Sequence, residues 1–302
     1  MSGTDGDDSL TGTDANENIA GMDGNDFISA GGGNDVLYGG AGNDDLFGGA
    51  GNDIFLASEG SDRFFGEAGD DSILVAGPNV ESQLVFGGDG NDTIGTSDND
   101  DEIEGGAGND FITSDDGFDV ISAGEGNDTV ISGGDSPDRQ ILIENDNDII
   151  SGQGGDDLLF GEYGDDDISG GAGNDTLDGN GVTSIEGSVT ITGTEPIEDG
   201  GVDFLSGDAG ADTFVFGVEA GAYYASQGFD DVGIVIDFNP TEDKIQLSGS
   251  AEDYILESTY YGDTSIFLDS DNNGTLSDAD EEIAVVEGVS NLDLNSSDFT
   301  FV

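Results

Sequence analysis

The sequence predicts an all-β fold: a parallel β-roll with two nine-residue repeats per coil, followed by a C-terminal β-sandwich-like cap. Three observations predict it. GGAGNDDLF at 39–47 is followed directly by GGAGNDIFL at 48–56, and the pattern recurs over most of residues 1–216. An apolar residue recurs at the eighth position of each repeat. After Phe216 the repeat stops and alternating β-strand patterns begin, so a cap is expected over 217–302.

The repeat consensus is GGxGxDxUx, where U is apolar, and its register begins at Gly3. The last three residues predict a minimal strand with its middle side chain buried, and the first six predict a turn. One apolar residue per repeat cannot fill a core, so two repeats are expected to face each other in each coil. Repeats n and n+2 then stack at the strand spacing of about 4.8 Å.

Three segments interrupt the repeats. Residues 75–86 predict a longer half-coil. Gln83 occupies the sixth position in place of the ligand aspartate, so a metal site is expected to be lost there. Residues 132–142 read similarly, with Arg139 at that position. Its guanidinium either replaces a cation or is a solvent-exposed loop residue. Residues 179–197 alternate Ile and Val with polar residues, which predicts a hairpin or excursion.

The chain carries a formal charge of -66, from 69 acidic and three basic residues, and it contains 54 glycines. Such a polyanion repels itself in a compact state unless cations enter. Nucleic acids and anionic membranes are disfavoured as partners because they require basic clusters. No apolar run approaches the roughly 20 residues of a membrane span. The first ten residues lack the pattern of a Sec signal, so any export signal is expected elsewhere.

The sixth position supplies the candidate metal ligands. Stacking would bring pairs such as Asp26 and Asp44 together, and two carboxylates at this spacing repel by about 3 to 4 kcal/mol at an effective dielectric of 20. Ca²⁺ accepts six to eight oxygens in flexible geometry and would reverse this repulsion, whereas Mg²⁺ fits less well. For a single aspartate a solvated turn is the alternative. The predicted ligands are Asp8, Asp26, Asp35, Asp44, Asp53, Asp62, Asp71, Asp92, Asp101, Asp110, Asp119, Asp128, Asp148, Asp157, Asp166, Asp175, Asp203 and Asp212. Glu17 departs from the pattern, so its site is expected to be weak or empty.

The repeats resemble the RTX, or haemolysin-type calcium-binding, nonapeptide. The resemblance implies that backbone carbonyls from positions one to four of two neighbouring turns complete each calcium site. It also implies a secreted or cell-surface protein that is exported by type I secretion machinery. The implied carbonyl ligands belong to Gly39, Gly40, Ala41, Gly42, Gly48, Gly49, Ala50, Gly51, Gly105, Gly106, Gly108, Gly170, Gly171 and Gly173.

The C-terminal region predicts strands at 233–238, 244–247, 254–257, 265–268 and 283–286. Its start resembles the cap of serralysin-like RTX proteins. A loop at 269–280 matches the EF-hand scheme, with Asp in place of the final Glu, and an acidic turn is the alternative. Its candidate calcium ligands are Asp269, Asp271, Asn273, Thr275 and Asp280. The tail 297–302 resembles a type I secretion signal, and it also reads as a last strand.

The composition argues against an enzyme. Without histidine or cysteine there is no zinc protease site, Ser-His-Asp triad or thiol nucleophile, and Lys244 lies outside any P-loop. The residue types alone do not exclude a glycosidase that uses a pair of carboxylates. The expected function is calcium binding by a secreted protein that folds on meeting calcium outside the cell. The alternatives are a calcium-dependent adhesin or surface-layer component with a cell-surface or polysaccharide partner, or the C-terminal module of a larger extracellular enzyme.

Overall fold

The computed structural model describes residues 1–57, 59–76, 80–133, 147–161, 164–179, 202–218, 221–222, 232–277 and 280–302. The chain forms two compact units, Met1–Gly134 and Asp135–Val302. In the described residues all regular structure is β except for one 3-10 helix at Ala251–Asp253. The predicted all-β class is confirmed.

The first unit contains fourteen short strands that alternate between two parallel sheets. Odd-numbered strands pair with each other in one sheet, and even-numbered strands pair in the other. The strands are β1 Ser9–Thr11, β2 Asn18–Asp23, β3 Phe27–Gly32, β4 Val36–Ala41, β5 Asp45–Ala50, β6 Ile54–Ala57, β7 Arg63–Ala68, β8 Ser72–Val75, β9 Leu84–Asp89, β10 Thr93–Gly95, β11 Glu102–Ala107, β12 Phe111–Thr113, β13 Val120–Glu125 and β14 Thr129–Ile131.

The strand register confirms two repeats per coil. Leu46 of β5 lies opposite Ile28 of β3, so repeat n pairs with repeat n+2. Many strands are longer than predicted. β3, for example, continues from position seven of one repeat through position three of the next. The glycine-rich residues after the apolar core position stay extended, so they continue the backbone pairing of β3 with β5.

The core of each unit consists of the position-eight side chains, which point between the two sheets. Each fully buried aliphatic or aromatic residue contributes about 1.5 to 3 kcal/mol of hydrophobic stabilisation. The half-buried Leu10 lies in the first strand. The buried members are Ile19, Ile28, Leu37, Leu46, Phe55, Phe64, Ile73, Val85, Ile94, Ile103, Ile112, Ile121, Val130, Ile150, Leu159, Ile168, Leu177, Leu205 and Phe214.

The turns need glycine because the backbone adopts the left-handed region at positions two and four. Gly40 and Gly42 have φ values of 121° and 130°. A Cβ on Gly42 would lie 2.1 Å from the carbonyl oxygen of Gly24 in the coil below. Position two nevertheless accepts Met22 at φ 97° and Glu67 at φ 73°. The sequence GGxG therefore reflects both backbone conformation and the close approach of successive coils.

The second unit continues the same architecture. One sheet has the order β15-β17-β19-β23-β27-β26-β25, and the other has the order β16-β18-β20-β24-β28. The strands are β15 Ile149–Gly154, β16 Leu158–Phe160, β17 Asp167–Ala172, β18 Thr176–Asp178, β19 Val202–Ala209, β20 Thr213–Val215, β21 Gly217–Val218, β22 Gly221–Ala222, β23 Val232–Val235, β24 Lys244–Leu247, β25 Tyr254–Ser258, β26 Thr264–Leu268, β27 Glu281–Val286 and β28 Phe299–Phe301.

Beyond Phe216 both sheets go on in parallel. β23 pairs with β19, and β24 pairs with β20, although their sequences no longer follow the nonapeptide. β25, β26 and β27 form an antiparallel layer at the end of one sheet, and β21 and β22 pair antiparallel outside both sheets. The predicted domain boundary at 216/217 therefore stays a prediction, since the parallel stacking crosses it.

Some predictions fall outside the described residues. Residues 77–79 of the first longer half-coil, most of the 132–142 segment with Arg139, and the excursion after Gly179 belong to this part of the chain.

Candidate metal centre

The position-six side chains stack in columns that run from coil to coil, each side chain lying just before the last three residues of its repeat. In the first unit, the first column contains Asp8, Asp26, Asp44, Asp62, Gln83, Asp101 and Asp119, and the second contains Glu17, Asp35, Asp53, Asp71, Asp92, Asp110 and Asp128. In the second unit, the third column contains Asp148, Asp166 and Asp203, and the fourth contains Asp157, Asp175 and Asp212. Every predicted aspartate ligand in these columns except Asp8 is at most 3% exposed.

One side-chain oxygen of each column residue after the first accepts a backbone hydrogen bond from the preceding coil. Asp44 Oδ1 accepts a hydrogen bond from the N–H of Asp26 at 2.8 Å, and Asp53 Oδ1 accepts one from Asp35 at 2.7 Å. The same bond recurs across the insertion in the second unit, from the Asp175 N–H to Asp212 Oδ1 at 2.9 Å. The columns are thus held in register by the same residues that are predicted to bind metal.

The second carboxylate oxygen is buried without a hydrogen-bond partner at many of these positions. A buried unpaired carboxylate oxygen carries a large desolvation penalty unless a cation or proton reaches it. Arg63 bonds to Asp45, outside the columns. The residues with such an Oδ2 atom are Asp26, Asp35, Asp44, Asp53, Asp62, Asp71, Asp92, Asp110 and Asp175.

Burial also raises the pKa values of several column aspartates. The pKa of Asp62 rises to about 7, first through burial and further through the neighbouring Asp44, although the Asp44 N–H lowers it. The same causes raise the pKa of Asp53 to about 6. Without a bound cation the column therefore holds its negative charge against a penalty, which a cation at these carboxylates would remove.

The turns leave room for the free oxygen by having glycine at position one. A Cβ on Gly39 would lie 2.4 Å from Asp44 Oδ2, and a Cβ on Gly105 would lie 2.6 Å from Asp110 Oδ2. Gly48 and Gly170 stand in the same relation to Asp53 and Asp175, at 2.4 Å each. The columns thus present carboxylate oxygens, which hard divalent cations such as Ca²⁺ prefer.

A family comparison agrees with this geometry. The model for the RTX calcium-binding nonapeptide repeat matches residues 11–46, 38–73, 84–112, 105–136, 144–177 and 199–218, which together make up more than half of the chain. The chain belongs to the RTX calcium-binding repeat family. The repeats of this family bind Ca²⁺, and its members are typically secreted and bind extracellular calcium. Calcium is therefore the cation that the repeats bind, and its binding by the column aspartates stays a prediction.

A comparison with curated protein sequences gave no match. No helix in the described ranges combines the length and the hydrophobicity of a membrane span.

The RTX carbonyls expected from the best-matched repeats do not all face one site. The turn at 39–44 leads from β4 into β5, and the turn at 48–53 leads from β5 into β6, so the two turns serve different columns. The partner of Gly42 within its own column is Gly24, eighteen residues earlier. The position-three carbonyl of Ala41 already accepts the Gly24 N–H at 2.7 Å. The neighbouring turns that share a site are thus repeats n and n+2.

Other repeats show the same stacking of repeat n on repeat n+2. A Cβ added to Gly106 or Gly108 would meet the carbonyl oxygen of Gly88 or Gly90, and one added to Gly171 would meet that of Gln153. Gly173 approaches the Gly155 carbonyl in the same way. Which of these oxygens bind calcium stays a prediction.

Position five was missed by the sequence analysis, although its frequent asparagines were a readable signal. Asn25 Oδ1 accepts the N–H of Asn43 at 2.9 Å, and Asn16 Oδ1 accepts the N–H of Asn34 at 3.0 Å. These bonds run from the later coil to the earlier one, opposite in direction to those of the position-six aspartates. They satisfy turn N–H groups and leave the position-six carboxylates to the metal.

The outermost carboxylates differ from the interior ones. Asp8 Oδ2 accepts hydrogen bonds from the N–H of Thr4 at 2.6 Å and from its hydroxyl at 2.9 Å. Glu17 Oε2 accepts the N–H of Thr13 at 2.6 Å. Asp8 thus lacks the unpartnered Oδ2 of aspartates such as Asp26 and Asp44. The expectation of a weak or empty Glu17 site stays a prediction, and this bond favours it.

Two further residues of the second unit were not visible in the repeat pattern. Asp243 extends the fourth column, because its Oδ1 accepts the Asp212 N–H at 3.1 Å while its Oδ2 accepts the Asn239 N–H at 2.7 Å. A Cβ on Gly179 would lie 2.4 Å from Asp203 Oδ2, the relation that position-one glycines show elsewhere.

The EF-like loop connects β26 and β27, as its strand-like flanks predicted. Carboxylate oxygens of Asp269, Asp271 and Asp280 lie within 4.8 Å of one another. Asp269 accepts the Gly274 N–H at 2.8 Å, and Asn273 Oδ1 accepts the Thr275 N–H at 2.7 Å. The loop brings together three of the five predicted ligands, and its calcium site stays a prediction.

Proposed function

We propose that this protein is a secreted calcium-binding RTX protein that folds when it meets calcium outside the cell. The single observation that carries the proposal is the series of buried, unpartnered Oδ2 atoms along the columns, exemplified by Asp44 and Asp53. These atoms make the compact state unfavourable without a cation and favourable with one.

The expected affinities set where folding occurs. Extracellular calcium modules bind at about 10⁻⁴ to 10⁻³ M, far above cytosolic free calcium. At ten times Kd one site contributes about 1.4 kcal/mol. A dozen such sites exceed the net stability of about 5 to 15 kcal/mol that a folded protein usually has. Calcium binding and folding are then one event.

Type I secretion machinery is the proposed partner for export. A chain with a formal charge of -66 stays extended without calcium and can thread a narrow channel. The C-terminal Phe299–Phe301 segment forms β28 and pairs with β24, so the proposed signal becomes a strand once the protein has folded.

We propose no catalytic role. Most of the buried acidic residues of the repeats belong to the columns, and a glycosidase would need a pair of acids outside them and a cleft. The EF-like loop at 269–280 is proposed as one additional calcium site outside the columns, because Asp269 and Asp280 are buried next to Asp271.

A calcium titration followed by circular dichroism tests the proposal. β signal should appear cooperatively between about 10⁻⁴ and 10⁻³ M Ca²⁺, and magnesium at the same concentrations should leave the chain unfolded. Full β signal without divalent ions would overturn it. The adhesin and surface-layer alternatives predict calcium-dependent retention on cells or polysaccharide arrays that EGTA abolishes, and a longer gene product would indicate a C-terminal module.

A further inference from the structure

Gln83 occupies a metal-column position without being a carboxylate. It is 4% exposed and stands in the first column between Asp62 and Asp101. Its backbone N–H bonds to Asp101 Oδ1 at 2.6 Å, and its Oε1 accepts the Asp62 N–H at 3.0 Å. The backbone and the side-chain oxygen of Gln83 therefore make the same column bonds as an aspartate.

The difference lies in the second terminal atom. Where an aspartate has its buried Oδ2, Gln83 has an amide nitrogen that carries two hydrogens. Nε2 donates to the carbonyl oxygen of Gly60 at 2.9 Å and also to that of Glu81. Gly60 and Glu81 are the position-four residues of the two coils that meet here. Two carbonyls from stacked turns are thus bridged by N–H groups of the protein itself.

The orientation of the amide follows from these partners. If oxygen and nitrogen were exchanged, Nε2 would face the Asp62 N–H and Oε1 would face two carbonyl oxygens. Both contacts would be repulsive, and only a cation could offset the second. Glutamine is also one methylene longer than aspartate, so its nitrogen reaches carbonyls that an aspartate would reach through an ion.

We propose that the Gln83 amide replaces both a ligand carboxylate and a calcium ion, so that this position is a metal-free link inside the calcium column. Its oxygen takes the structural role of the aspartate, and its nitrogen takes the role of the cation toward the Gly60 and Glu81 carbonyls. The first column of this unit is then divided into two calcium-binding runs, and the coils around β9 are joined without calcium. The inference rests on the proposed calcium-binding function.

The test is calcium stoichiometry, measured by equilibrium dialysis and elemental analysis at saturating calcium. Gln83→Asp restores the repeat consensus, and Gln83→Glu keeps the length of the side chain. Each should bind one more ion per chain than the native protein. Asn291→Asp is the control, because it adds one carboxylate at an exposed position outside the repeats. It should leave the stoichiometry unchanged.

The outcomes separate this inference from the proposed function. A native protein that binds no calcium would overturn both. A native protein that binds calcium, with Gln83→Asp and Gln83→Glu binding no additional ion or failing to fold at any calcium concentration, overturns the metal-free link alone. Anomalous scattering from calcium beside Gln83 in crystals of the native protein would also overturn it.

Discussion

Replacement of Asp53 by asparagine separates metal binding from the hydrogen bonding of the column. Asp53 is 1% exposed, and its Oδ1 accepts the Asp35 N–H at 2.7 Å. Its Oδ2 is buried without a hydrogen-bond partner. Asparagine has the same shape and keeps the bond to Asp35, but it offers an N–H₂ group where a calcium ligand is needed. Alanine removes both functions.

The sizes of the two effects can be estimated separately. Loss of one calcium site costs about 1.4 kcal/mol at ten times Kd, so Asp53→Asn should lower the free energy of unfolding by about this amount. Asp53→Ala also leaves the buried Asp35 N–H without its acceptor, which costs about 1 to 3 kcal/mol more. In calcium-free buffer the asparagine variant should instead be favoured over the native chain, because one member of the repelling column is neutral.

The assay is urea unfolding at several calcium concentrations together with ion counting. Asp53→Asn should bind one ion fewer, and its deficit in stability should shrink as calcium is withdrawn. The exposed Asp23→Asn substitution is the control for loss of one negative charge, and it should change neither quantity. If Asp53→Asn binds as many ions as the native protein and unfolds at the same urea concentration, Asp53 is not a ligand.

Three other outcomes are expected. Gly42→Ala should destabilise the calcium-bound protein by about 1 to 3 kcal/mol, because φ is 130° and the new Cβ would meet a carbonyl 2.1 Å away. Gly6→Ala is the control, because a Cβ added there would meet no atom within 4 Å, and this variant should unfold at the same urea concentration as the native protein. In calcium-free buffer the β signal should rise as pH falls from 8 to 5. The folded-state pKa of Asp62 is about 7 against its ordinary 3.8, so the folded state binds more protons than the unfolded state and is stabilised at lower pH. A fall in β signal over this range would contradict the prediction. Asp271→Ala should remove one ion and Glu257→Ala none, and equal ion counts for both would refute the EF-like site.

The sequence could predict the fold because two periodicities coincide. The apolar residue at position eight of each nonapeptide can be buried only if the nonapeptides face each other, and Leu46 above Ile28 confirms that register. The same stacking brings Asp26 and Asp44 together, so the position of the metal columns followed from strand spacing alone.

Spacing could not predict which oxygen of each carboxylate accepts the backbone hydrogen bond and which is left for a cation. Which oxygen of Asp44 bonds to the coil below depends on side-chain direction, and so does the opposite bonding of Asn25. Asp243 was missed because the column continues into the cap by backbone stacking, after the sequence pattern has ended.

The most direct test of the account is removal of calcium from the purified protein. Small-angle scattering and circular dichroism should be recorded at low ionic strength and pH 8, with excess EGTA and then with 10 mM Ca²⁺. The account predicts an expanded chain with little β signal in EGTA and a compact β protein in calcium. A compact protein with full β signal in EGTA would contradict it.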